Sequence, residues 1–148
     1  MLVPVFLFAW PLHAQETQPA AWSAHRSAAD WISSGLVVGQ LGAATWYAGT
    51  SDDRGHQLGC LALRAGVTIG SAEVTKRLVH RTRPDASDRK SFYSEHTALA
   101  TVASGWRFQI GIPIAIGTGY LRMAADKHFA SDVAVGAFAG LLTRKLCS

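Results

Sequence analysis

No stretch of this chain sustains the apolar–polar alternation of a half-buried strand, which excludes a sheet as its organising element. There is no internal repeat at periods of about 20 to 50 residues and no low-complexity tract, so a solenoid array and a compositionally disordered chain are excluded too. Cysteine is scarce: Cys60 and Cys147 are the only two, and at that distance in sequence their pairing in an oxidising compartment stays open. Charge is missing from Trp31 to Ser51 altogether. The run "TKRLVHRTR" has the opposite gap: it carries Lys76, Arg77, Arg81 and Arg83 with no acid among them and no aromatic. The missing aromatics argue against a nucleic-acid binder that stacks bases. The net charge of +4 and pI near 9.4 still suit an anionic partner.

What is present fits one helical domain. At 148 residues the chain is long enough to bury a single core. It is 49% apolar, yet its mean hydropathy is only +0.14, high for a soluble protein and low for one buried mostly in lipid. The opening "MLVPVFLFAWPLHAQ" has the apolar run and small residue of a signal peptide, with an N-terminal anchor as the competing reading over residues 1–14. A polar linker follows over residues 15–28, and the remaining residues 29–148 form the domain. Asp30 is expected to cap a helix from Trp31 to about Gly49, and Trp31 to Ser51 is long enough to cross a bilayer. A second helix is expected from about His56 to Thr82, stopped by Pro84. Ser94 is placed to cap a third, Glu95 to about Trp106, with Glu95 favoured in its first turn. A fourth is expected from about Ile110 to Ala125 and a fifth from about Phe129 to Leu146. The fold class is therefore all-α, a single bundle of about five helices.

Three clusters bear chemistry. Lys76 and Arg83 stand seven apart before Pro84, a spacing that a helix places on one face. Ser94 and His96 open the third helix, where backbone N–H groups attract anions and an imidazole can donate a proton. His128 and Asp132 stand four apart, so a helix would lay the carboxylate beside the imidazole and fix which ring nitrogen is free. Arg122 lies shortly before them. The bland readings are a basic helix end, a capped helix with an incidental His, and a core His–Asp pair beside an Arg122–Asp126 bridge. The joint occurrence outweighs them: at roughly 5% usage per residue type a fixed triplet arises at about one start position in ten thousand. Three cations, helix-end donors and two histidines are what a transferring phosphoryl group requires.

At these residues the sequence resembles the type 2 phosphatidic acid phosphatase superfamily, whose members include lipid phosphatases, bacterial non-specific acid phosphatases and vanadium haloperoxidases. Lys76, Arg83 and Pro84 match its first motif, and Arg122, His128 and Asp132 its third, with Leu121 where the family has Ser. The middle motif, Pro-Ser-Gly-His in the family, reads Tyr93-Ser94-Glu95-His96. The resemblance implies an all-α bundle and a metal-independent phosphatase with no cofactor. In it His128 would be the nucleophile that becomes a phosphohistidine, Asp132 would orient it, and His96 would protonate the leaving alcohol. Lys76, Arg83 and Arg122 would bind the phosphate oxygens with Ser94 and backbone amides, the backbone of Glu95 included. The Glu95 side chain is expected to turn outward, toward Lys90 or Arg89, because a carboxylate near a phosphate dianion repels it.

The expected partners are a phosphorylated small molecule or a phospholipid or isoprenoid phosphate, with membrane association and no nucleic acid. The expected location is the cell envelope, exported or membrane-associated, with the site facing away from the cytoplasm. Competing readings are a vanadate-dependent haloperoxidase, a basic nucleic-acid binder, an inactive relative that binds a phosphorylated lipid or envelope precursor, and a purely structural helical membrane protein.

Overall fold

The computed structural model describes residues 20–147, with side chains from Ser23 onward. The stretch read as a signal peptide or anchor lies outside the described residues. Five α-helices and one short 3-10 turn make up the described chain: α1 (Ala20–Gly49), α2 (Arg54–Val79), α3 (Glu95–Ala103), the turn Ser104–Trp106, α4 (Phe108–Ala124) and α5 (Ala130–Thr143). The all-α expectation holds, and α3 is its axis. It touches each of the other four helices, and every residue from Thr97 to Ala103 is buried.

Small side chains make that arrangement fit. Ala98, Ala100 and Ala103 let neighbouring helices approach α3 closely. Gly136 and Gly140 of α5 press directly on its backbone: a Cβ at Gly136 would stand 2.4 Å from the Ser94 carbonyl oxygen, and one at Gly140 2.5 Å from that of Ala98. Only glycine tolerates such contact with main chain. α1 and α4 pack along the other side, where Val37, Leu99, Ala100 and Ala115 form an apolar cluster joined by Leu41 and Ala65. A disulfide joins Cys60 in α2 to Cys147, 87 residues later. Arg64, one turn on from Cys60, donates to the carbonyls of Leu146 and Cys147 at 2.9 and 3.2 Å and seats the C-terminal segment there.

Several boundaries differ from the sequence reading, and each shift has a cause that matters for the site. α1 begins at Ala20, inside the segment read as linker, so Asp30 sits in mid-helix and is not a cap. α2 ends at Val79, where His80 adopts a left-handed conformation, and Pro84 therefore falls in a turn beyond the helix. Arg83 is thus a loop residue and shares no helical face with Lys76. α5 begins at Ala130, which leaves His128 outside it.

No helix among the described residues is long and apolar enough to cross a membrane. Gly35, Gly39, Gln40 and Gly42 dilute the Trp31–Ser51 stretch, which has the length to span, and α4 and α5, at 17 and 14 residues, fall short of the roughly 20 a span needs. The surface is nevertheless apolar in places: Trp31 is 79% and Trp46 75% exposed, and Val38, Ile116, Tyr120 and Phe138 also face outward.

Candidate active site

The loop between α2 and α3 is rich in polar and charged residues and is organised by ion pairs that carry it to the α4–α5 connection. Asp85 binds Lys127 at 2.7 Å through its side chain and the Asp126 carbonyl at 3.1 Å through its backbone N–H. The Ser91 N–H returns to the Arg81 carbonyl at 2.9 Å, closing the loop on itself. This docking brings residues near positions 83 and 91 against those near 128 and 132.

His128 lies in the connection just before α5, 4% exposed. Its Nδ1–H donates to the Ser91 carbonyl at 2.6 Å. A carbonyl only accepts, so the proton sits on Nδ1 and the Nε2 lone pair is free. Burial, and then the cations Arg122 and Arg83, push this imidazole down to about 3, and the Ser91 bond only partly opposes them. It is neutral across the physiological range, the state a nitrogen nucleophile needs.

Asp132 does not reach the ring, contrary to the helical spacing argument. With α5 beginning only at Ala130, Asp132 is a first-turn residue and folds back to accept the Phe129 N–H at 3.1 Å. Its other bonds go to the Ser91 hydroxyl and to Arg81, whose Nη1 donates at 2.5 Å. Asp132 thus holds Ser91, and the Ser91 carbonyl holds His128: the orientation is relayed through one residue. Arg81 also lies over the Phe129 ring at 4.3 Å and donates to Ser131 at 2.8 Å.

His96, in the first turn of α3, faces α1. With its own proton on the Asp30 carbonyl at 3.0 Å, Ser34 accepts from His96 Nε2 at 3.2 Å. Burial first, then Arg122, lower this imidazole to about 4, opposed by Glu95 and Asp30. Arg122 therefore acts on both histidines. It is buried in α4, bound to Asp30 through Nη1 and to Ser33 at 3.4 Å, while its Nε is buried with no protein partner. The alternative Arg122–Asp126 bridge does not form; Asp126 pairs with Arg26.

The remaining candidates divide. Lys76, its side chain 11% exposed, binds Glu95 at 2.5 Å and Glu73 at 3.0 Å. Glu95 therefore turns inward to a cation of the site, and the expected outward turn toward Lys90 or Arg89 is corrected. A buried ammonium needs counter-charge, and the first turn of α3 supplies it. Arg83 binds Asp88 at 2.6 Å. Ser94 takes the N-cap position of α3, but its side chain is fully buried and pairs with Thr97 at 2.9 Å, and its N–H donates to the Asp132 carbonyl at 3.0 Å. As placed, it ties α3 to α5 and presents no hydroxyl to a ligand. Asp30, Ser33, Ser34, Arg81 and Ser91 were missed by sequence reasoning. The one signal for the α1 group was Asp30 with Ser33 and Ser34, a polar turn at helical spacing entering an apolar stretch.

Two other features are separate from this cluster. A shallow cavity of about 490 Å³, lined by Trp46, Tyr47, Trp106 and Arg107, lies some 16 residues along α1 from Asp30, about 24 Å away at the helical rise. Among the described residues His56, Cys60 and Cys147 form a potential metal-ligand group, but its two sulfurs are spent on the disulfide.

The chain is similar to the lipid A 1-phosphatase of Porphyromonas gingivalis, 32% identical over 111 residues, which covers 68% of this chain and 25% of the relative. It thus spans about a quarter of the length of the curated relative it matches. No family model matches the chain, and no solved structure matches it.

Proposed function

We propose that this chain is a phosphatase of the type 2 phosphatidic acid phosphatase kind, acting on a phosphorylated lipid through a phosphohistidine. The observation that carries the reading is His128: buried, neutral, its Nδ1–H fixed on Ser91 and its Nε2 free, under the charge of Arg122 and Arg83. Similarity to a protein named as a lipid A phosphatase supports a phosphorylated lipid as the substrate class.

In the first step His128 Nε2 attacks phosphorus and the ester P–O bond breaks, while His96 in its protonated form, a minor population above about pH 4 that the charge of an entering phosphate favours, gives a proton to the departing alkoxide. The positive charge that develops on the imidazole is shared with the Ser91 carbonyl through Nδ1–H. Arg122, Arg83 and Lys76 balance the charge on the equatorial oxygens, and the unpartnered Nε–H of Arg122 is a donor ready for one of them. In the second step the now neutral His96 takes a proton from water. The oxygen attacks phosphorus, the P–N bond breaks, and phosphate leaves with both histidines restored. These guanidinium and ammonium groups do the charge work, so the reaction is expected to proceed in EDTA.

The setting proposed is the cell envelope, with the protein exported or membrane-associated and the site facing away from the cytoplasm. The outward Trp31, Trp46, Ile116 and Phe138 suit contact with acyl chains. Fractionation without and with a high-salt wash tests this: recovery in the soluble fraction before any salt is added would refute membrane association.

The test of activity is phosphate release from an aryl phosphate and from a lipid phosphate, in EDTA, by wild type, His128→Ala and His96→Ala. Release by wild type that falls at least about a hundredfold in both variants supports the mechanism; equal rates in all three refute it. A second reading, a binder without turnover, is favoured by the pairing of Glu95 with Lys76. Phosphate binding with no release by wild type would establish it.

A further inference from the structure

The cations of this site are already occupied by the protein's own carboxylates. Lys76 carries Glu95 and Glu73, Arg83 carries Asp88, and Arg122 carries Asp30. The Lys76 ammonium has two acids in direct contact, while Lys90 and Arg77 act on Glu73 from further off. Its two acids differ in weight. Glu73 is on the same helix as Lys76 and its side chain is 44% exposed, so water screens it. Glu95 reaches across from α3 to α2, its side chain 25% exposed, at 2.5 Å from an ammonium that is itself nearly buried.

Glu95 also stands at the first position of α3, where the helix N-terminus would meet a phosphate, and beside His96. An entering phosphate therefore contends with the Glu95 carboxylate for one ammonium and for one helix end. Repulsion between the two anions grows in proportion to the charge on the phosphate.

We propose that Glu95 is a specificity residue of this site, an internal competitor for Lys76 that disfavours doubly charged phosphate groups relative to singly charged ones. The inference rests on the anion site proposed above. It narrows the preference that three cations would otherwise give a monoester dianion over a phosphate that carries one negative charge. Glu73 contributes in the same direction and less.

Calorimetric binding separates this inference from turnover. The probes are methylphosphonate, a dianion at about pH 8.5 whose P–C bond a phosphatase leaves intact, and dimethyl phosphate, a monoanion at the same pH. Glu95→Gln is expected to tighten methylphosphonate about tenfold and dimethyl phosphate about threefold, the square root expected when the energy scales with charge. Glu73→Gln is expected to tighten methylphosphonate by less than Glu95→Gln does. Equal tightening of the two probes, or no tightening with the variant melting as wild type does, would overturn the proposal. A Glu95→Gln protein that melts early is replaced by Glu95→Ser, for which the same ratio is required. Graded tightening without hydrolysis of any substrate would sustain the role of Glu95 while removing the phosphatase reading. Failure of both probes to bind wild type and variants alike would remove the anion site and this inference with it.

Discussion

Acidification from pH 7 to pH 5 should cost this protein about 4 kcal/mol of folding stability through its two site histidines alone. The ordinary value of 6.5 falls to about 3 at His128 and about 4 at His96, in each case chiefly by burial and then by Arg122. Between those values and 6.5 the unfolded chain binds protons that the folded chain refuses, so stability is full above 6.5 and declines as pH falls toward the folded values. At about 1.36 kcal/mol per pH unit, each histidine costs about 2 kcal/mol by pH 5. That figure depends little on how far below 5 the folded values lie. Glu73, Asp85 and Asp88 stay out of this window. Glu73 beside Lys76 is held low, and at Asp85 and Asp88 burial is outweighed by hydrogen bonds including those from Lys127 and the Lys90 backbone. The assay is urea unfolding at pH 7, 6 and 5, comparing wild type with His96→Asn, His128→Asn and the double variant. Each single variant should remove about half of the pH-dependent loss, whatever its stability at pH 7. A double variant whose curve runs parallel to wild type between pH 7 and pH 5 would refute the assignment of buried, neutral imidazoles.

Asp132→Asn should lower activity about a hundredfold and stability by about 3 kcal/mol, because one fully buried carboxylate serves Arg81, Ser91 and the Phe129 N–H. Kinetics and urea midpoints check it, and an active, stable Asn variant would show that the relay through Ser91 is unnecessary. Gly136→Ala puts a methyl 2.4 Å from the Ser94 carbonyl oxygen and should destabilise by about 1 to 3 kcal/mol. Because Ser94 leads directly into His96, activity should fall by more than the unfolded fraction explains, as measured at a temperature where the variant is folded.

The helices were legible because their signals are local. Five apolar segments, the Ser94–Glu95 start of α3 and the absence of strand alternation sufficed for the all-α bundle. Lys76, Arg83, His96, Arg122 and His128 were singled out by residue type and spacing, and the charges of Arg122 and Arg83 do act on His128 in the fold. Spacing failed wherever it assumed helix beyond the true end. Arg83 lies past Val79 and His128 lies before Ala130, so neither shares a helical face with its supposed neighbour. The pairings of Glu95 with Lys76 and of Asp30 with Arg122 join residues 19 and 92 apart. Such contacts are set by tertiary packing around α3, which no local pattern encodes. Asp30 looked like a cap because helix α1 continues upstream through the alanine-rich residues 20–29, which show no apolar periodicity to mark a helix.

The bridge between Cys60 and Cys147 encloses Lys76, Arg83, His96, Arg122, His128 and Asp132 in one covalent ring, whereas Asp30, Ser33 and Ser34 stand outside it. A single protease cut in the polar segment near Ser87 would open that ring without releasing either part. One piece would keep Lys76 and Arg83, the other His96 and His128, and once the chain is denatured thiol reductant would separate them.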